Sequence, residues 1–156
     1  MAKDISAADG ALVVAEAKTW KGTPYKLVGA GSIKGDGGDC SGSTWRVYTA
    51  VGFAYDYRNS ATLDSYVVEK KKFRKLGAAE AKQEGDLLLW SDHMAVYTSF
   101  ASDAENAVTG RVTAKGAHWD QVNDMWTATH TGGPAYQANK MSYFKITAPQ
   151  VYRYQK

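Results

Sequence analysis

Two residues of this chain have types and surroundings suited to nucleophilic chemistry. They are Cys40, in GGDCSGSTWRVYTAVG (37–52), and His93, in EGDLLLWSDHMAVYTSF (84–100). A thiolate attacks an acyl carbon well. To do so repeatedly it needs a base within hydrogen-bond reach and a third group that holds the base in the right tautomer. A lone cysteine is ordinarily a small, inert, buried hydrophobe, and a histidine beside Asp92 is ordinarily an exposed turn residue. The surrounding sequence argues against both plain readings.

Between Val28 and Gly38 the stretch VGAGSIKGDGG places five glycines in eleven positions, so the backbone turns sharply and leaves room for a substrate backbone. Asp39 and Cys40 follow at once. Trp45, Tyr48 and Val51, with Val47 adjacent, recur at helical spacing, and Gly52 stands where a helix C-terminal glycine belongs. Cys40 therefore falls in the first turn of a helix, where free N–H groups and the positive end of the dipole favour a thiolate. The expectation is a cysteine more acidic than a free one, with Gly42 keeping the next turn thin.

The elements around this pair read as helices first and strands after. A helix is expected over about 7–20, capped by Ser6 with Asp9, with Leu12, Ala15 and Thr19 on one stripe and Val13 and Trp20 beside it; Gly22 and Pro24 end it. A further helix is expected over 62–72 with Leu63, Tyr66 and Val67 inward. Leu87–Trp90 is a short apolar strand, Ser91 and Asp92 a turn, and His93–Phe100 a strand that the histidine opens. Strands are also expected at Trp126–His130 and Val151–Tyr154, with residues 101–125 an excursion between strands. Helices followed by antiparallel strands make an α+β domain, one over residues 1–156.

Composition narrows the function classes. Three histidines scattered over about forty residues, with one cysteine, offer no zinc spacing and no internal disulfide. No metal or cofactor is expected. A net charge of +3 is mildly basic and suits an anionic surface. The basic run around Lys70–Lys72, Arg74 and Lys75 reads as a solvated face, and no basic stripe interleaved with aromatics points to nucleic acid. No stretch approaches the roughly 20 apolar residues of a membrane span. The N-terminal segment lacks a signal-peptide pattern, so the chain is expected to be made in the cytoplasm.

At this point the sequence resembles the NlpC-type cell-wall peptidases, which are papain-like cysteine hydrolases. The resemblance rests on GTPY (Gly22–Tyr25), the glycine loop leading to DCSG (Asp39–Gly42), RNSA (Arg58–Ala61), EGDLLLW (Glu84–Trp90) and HMAVY (His93–Tyr97). These lie in the family's order and spacing over roughly residues 10–100, and the family-like core extends over about 10–135. DCSG alone is a weak signal; followed by GDL and HMAVY it is a strong one.

The resemblance implies a papain-like fold and a peptidase that cuts peptidoglycan stem peptides, commonly between γ-D-glutamate and a diamino acid, through an acyl-enzyme. Cys40 is then the nucleophile and His93 the base. Tyr25 matches a tyrosine beside the nucleophile that points its hydroxyl at the oxyanion, and Asp39 and Ser41 flank the cysteine on the substrate side. For the third member the family uses a polar residue, often histidine, on the next strand. His130, in WTATHTGGP, is the expected candidate, with His118, Thr127, Gln121 or a backbone carbonyl as alternatives.

GGPAYQ (132–137) and PQVYRYQ (149–155) lie outside the family-like core and are expected to be packed strand more than groove. The same fold could instead cut the N-acetylmuramoyl–L-alanine amide, transfer an acyl group, or serve as an inactive wall-binding module. With neither signal peptide nor wall-anchoring repeat, the expected setting is an antibacterial effector. It would be delivered to a rival's periplasm by secretion machinery and matched by a cognate immunity protein.

Overall fold

In the computed structural model, residues 2–70, 72–101, 123–129, 135–141 and 147–156 are described. Ser6 starts helix α1 (Ala7–Thr19) through the expected reciprocal cap: its Oγ accepts the Asp9 N–H at 3.1 Å, and the Asp9 carboxylate accepts the Ser6 N–H at 3.2 Å. The buried stripe of α1 differs from the expected one. Gly10, Val13 and Ala17 face inward and Trp20 follows them, whereas Leu12 is 54% exposed. Gly10 explains the choice. A Cβ there would stand 1.8 Å from the Glu84 carbonyl oxygen, so the helix is rotated to bring its one bare position against backbone.

Helix α2 (Cys40–Ala50) is capped by Asp39, and its C-terminal glycine, Gly52, adopts φ +90°. Helix α3 spans Leu63–Lys70 with Leu63, Tyr66 and Val67 buried as expected. It ends short of residue 72 because the chain turns into an unforeseen strand, β1 (Phe73–Lys75), in which Arg74 bridges Asp4 and Glu80 at 2.9 and 2.8 Å.

Five further strands follow: β2 (Leu87–Trp90), β3 (His93–Ala101), β4 (Asn123–Thr129), β5 (Ala135–Asn139) and β6 (Gln150–Tyr154). Among the described residues they form one antiparallel sheet in the order β1-β6-β2-β3-β4-β5. The class is thus α+β, as expected. Residues 135–137 of the expected 132–137 strand lie in β5, where Tyr136 is fully buried, and 132–134 lie outside the described residues. The C-terminal strand is packed as well, with Arg153 paired to the buried Asp86 at 2.8 Å.

The two faces of the sheet explain the uninterrupted apolar run of β2. Leu87 and Leu89 point toward the helices, joining Val13, Val47, Tyr48, Met94, Val96 and Trp126, while Leu88 and Trp90 pack on the opposite face with Ala95 and Met125. Helix α2 lies against β3 and β4, so its first turn is brought to the end of the sheet where β3 begins. Among the described residues no helix is long and apolar enough to cross a membrane.

Candidate active site

Cys40 occupies the first residue of α2 and is partly exposed. Its sulfur is faced by three backbone N–H groups: those of Cys40 itself, Ser41, and Met94 on β3. The Met94 contact ties the nucleophile candidate to the strand that His93 opens, although more than fifty residues separate them in sequence. These donors favour a thiolate, but they do not win. Burial is the largest influence, and together with the neighbouring Asp39 carboxylate it pushes the Cys40 thiol up to about 11. The expected acidic cysteine is therefore corrected: the helix start is present, but taking the sulfur out of water costs the anion more than the N–H groups return.

This gives a direct expectation. Because the thiolate is the reactive form, alkylation of Cys40 by iodoacetamide should rise about tenfold per pH unit from pH 7 to about 10, where an ordinary cysteine levels off above its pKa near 8.5. A plateau already reached at neutral pH would show instead that a standing thiolate exists in the folded protein.

Asp39 is 4% exposed, and both its carboxylate oxygens are engaged by backbone. Oδ1 accepts the Gly42 N–H at 2.8 Å, and Oδ2 accepts the Gly29 N–H at 2.7 Å. It thereby caps α2 and straps the glycine loop to it. Arg46 closes the strap from the other side, donating to the Ser32 and Ala30 carbonyls at 3.0 and 3.3 Å. The loop glycines serve close packing here. At Gly42 a Cβ would lie 2.0 Å from the Gly29 oxygen, and at Gly37 it would lie 2.3 Å from the Lys26 side chain.

Ser41 is buried, and its hydroxyl hydrogen-bonds the Tyr57 hydroxyl at 2.8 Å. Tyr57 is a site residue that the sequence reading missed. It stands directly before RNSA, packs edge-on against Trp45 with centroids 5.7 Å apart, and lies close enough to Cys40 and Asp39 to feel their charge. Its adjacency to a recognised motif was the one available signal. Tyr25, on the other approach, is half-buried; burial first, then the proximity of Cys40 and Asp39, raises its phenol above the ordinary value. Two phenols therefore border the thiol, one of them the expected Tyr25.

His93 is 4% exposed at the start of β3, beside its cross-strand partner Trp90, with ring centroids 5.7 Å apart. Its Nε2 lies 3.0 Å from Oγ1 of Thr127 on β4. Of the third-member candidates, Thr127 is the one the described structure brings to the ring; His130, His118 and Gln121 lie outside the described residues. The arrangement offers a thiol, an imidazole one residue from the N–H that touches the sulfur, a hydroxyl on the imidazole's far nitrogen, and helix-start N–H groups placed for a developing oxyanion.

The fold built around this centre is of the NlpC/p60 type. The chain superposes on the NlpC/p60 domain of the peptidoglycan hydrolase SagA with a TM-score of 0.56 at 24% identity, covering 92% of this chain and 97% of that one. It also matches a Staphylococcus aureus subsp. aureus Mu50 protein described as similar to lipoprotein, NLP/P60 family, with a TM-score of 0.50 at 19% identity. That match covers 98% of this chain but only 43% of the other. No family model matches the sequence, and no curated protein matches it.

Proposed function

We propose that the protein is a cysteine hydrolase that cuts an amide in bacterial cell-wall peptide through an acyl-enzyme on Cys40. The observation that carries this reading is the meeting of the α2 start with the β3 start, where the Met94 N–H faces the Cys40 sulfur and the neighbouring residue, His93, has its ring on Thr127. The NlpC/p60-type fold supports the substrate class, since one solved relative of that fold is described as a peptidoglycan hydrolase.

In this mechanism His93 removes the Sγ proton as sulfur bonds to the carbonyl carbon. A thiol held neutral by its surroundings makes proton removal part of the attack. The carbonyl oxygen becomes an oxyanion facing the α2 N-terminal N–H groups, with the Tyr25 hydroxyl as a further donor. Collapse breaks the C–N bond, and His93 returns the proton to the departing amine. Water, deprotonated by the same ring, then releases the acid and restores the thiol.

The bond we assign is that between γ-D-glutamate and the diamino acid. Mass spectrometry of muropeptides from digested peptidoglycan tests it. That cut leaves a new glutamyl carboxylate and a new amine on the diamino acid, whereas an amidase leaves a free L-alanine amine and a lactyl acid. The second pair of termini would replace the assigned bond, and no new termini from any wall would overturn the hydrolase reading.

A further inference from the structure

The end of the sheet where β3 begins also carries a cavity of about 440 Å³ that the proposed chemistry leaves unused. The register explains its position. Leu89 and Trp90 end β2, Gln150 pairs with Leu89 at the start of β6, and Lys75 at the end of β1 pairs with Tyr152, so three strands deliver side chains to one place. Ser60 and Ala61, the close of the RNSA motif, form the facing wall with Asp64 of α3. Trp90 joins this cavity to the site, since its ring and that of His93, its cross-strand partner, lie 5.7 Å apart between centroids.

The lining divides by chemistry. Ala61, Leu89 and Trp90 offer apolar surface, while Lys75 and Asp64 bring one charge of each sign, 3.6 Å apart. The Tyr152 hydroxyl donates to Asp64 Oδ1, and its ring lies within 6.0 Å of the Lys75 ammonium, so one tyrosine places both charges. Asp64 Oδ2 and the ammonium N–H groups are left without a hydrogen bond among the described residues, and the two side chains are 56% and 48% exposed. A carboxylate and an ammonium so placed match the ammonium and carboxylate of an amino-acid end, with apolar walls for a short aliphatic stem.

In the mechanism above, His93 returns its proton to the departing amine, which belongs to the diamino acid. The cavity beside His93 therefore lies on the leaving side of the scissile bond. We propose that it receives the far end of that diamino acid, Lys75 pairing with its carboxylate and Asp64 with its ammonium, so that the site selects an unlinked diaminodicarboxylic acid such as diaminopimelate. This rests on reading the chain as a hydrolase of the γ-D-glutamyl bond. Lysine carries the ammonium without the carboxylate and satisfies Asp64 alone. Cross-linking turns the ammonium into an amide, and amidation of the carboxylate removes the partner of Lys75, so each change leaves one charge of the cavity unpaired.

The test uses soluble γ-D-glutamyl peptides that carry diaminopimelate, its carboxamide or lysine. With the wild-type protein, kcat/KM should be about 10- to 100-fold higher for diaminopimelate than for either of the others, the range for one hydrogen bond to a charged group. Lys75→Met keeps an unbranched stem on the Tyr152 ring and should bring both ratios to within about threefold of unity. Asp64→Asn keeps an acceptor for Tyr152 and should slow the diaminopimelate and lysine peptides alike, by about 10-fold or more, with their ratio preserved. The same peptides added to the Cys40→Ala protein, followed through the Trp90 indole N–H resonance, report the cavity without turnover and should bind in the same order.

Wild-type ratios within about threefold of unity would overturn the proposal. So would a preference that survives Lys75→Met, or an indole resonance that no peptide moves. Because binding is read without turnover, the two readings fail separately. Peptides bound in the expected order by a wild-type chain that cuts none of them would uphold the cavity and remove the hydrolase, whereas efficient cutting with no preference would keep the hydrolase and remove the assignment of the cavity.

Discussion

Replacing Cys40 by alanine is expected to abolish the release of muropeptide fragments, with a loss of kcat on the order of 10⁵ or more. The reason is specific to this site. The N–H groups at the α2 start remain and still stabilise an oxyanion, but with no sulfur the attacking group must be water, and nothing in the described site positions a water for that role. Cys40→Ser is the sharper variant. It keeps the size, the helix start and the Met94 contact, but its hydroxyl is a far weaker acid than the thiol, so His93 faces a harder proton to remove. A loss of at least about 10³-fold is expected. Cys40 is partly exposed at the edge of the core, so both variants should keep the wild-type circular dichroism spectrum. A Cys40→Ala protein that retains more than about a hundredth of the activity would place the nucleophile elsewhere.

The second large effect is on stability. Gly42→Ala would set a Cβ 2.0 Å from the Gly29 carbonyl oxygen and 2.1 Å from Ser32 Oγ. The serine hydroxyl can swing away. The carbonyl cannot, because the Gly29 N–H is tied to Asp39 Oδ2 and the Ser32 N–H returns to the Gly29 oxygen at 3.0 Å. Helix α2 and the glycine loop must therefore part, and overpacking of about 1–3 kcal/mol is compounded by roughly 1 kcal/mol for the weakened Asp39 cap. A loss of about 3 kcal/mol in urea denaturation is expected, accompanied by reduced digestion as the thiol shifts from Met94. Gly77→Ala is the matched control. Its Cβ would meet nothing closer than 3.6 Å, and its stability should change by less than about 0.5 kcal/mol. Equal midpoints for the two variants would show that the loop is not packed on α2 as described.

Much of this site is local, and local features are legible. The Asp39 cap, the bare position at Gly42, the glycine stop at Gly52 and the histidine opening a strand all depend on residues a few positions apart, where backbone sterics and end effects act directly. The same holds for the Ser6–Asp9 cap and for the inward face of α3.

Wherever a partner from far along the chain decides the matter, the sequence was silent or misleading. On α1 the apolar Leu12 looked like core, yet Gly10 faces inward because only a bare position tolerates the Glu84 carbonyl. The three residues of β1 carry no strand periodicity, and β6 makes them a strand by pairing with them; in β5, where packed strand was expected, the pairing with β4 is what buries the polar Gln137.

Thr127 is one threonine of a WTAT run, and only the pairing of β3 with β4, across more than twenty intervening residues, brings it to His93. The acidity of Cys40 makes the division plainest. The helix start that argues for a thiolate is a property of neighbouring residues and was readable. The burial that reverses it comes from packing contributed by the whole chain, and removing water from a charge outweighs a few well-placed N–H groups. The amino-acid sequence by itself thus determined which residues could do the chemistry; the tertiary structure decided their protonation, their partner and the face each one shows.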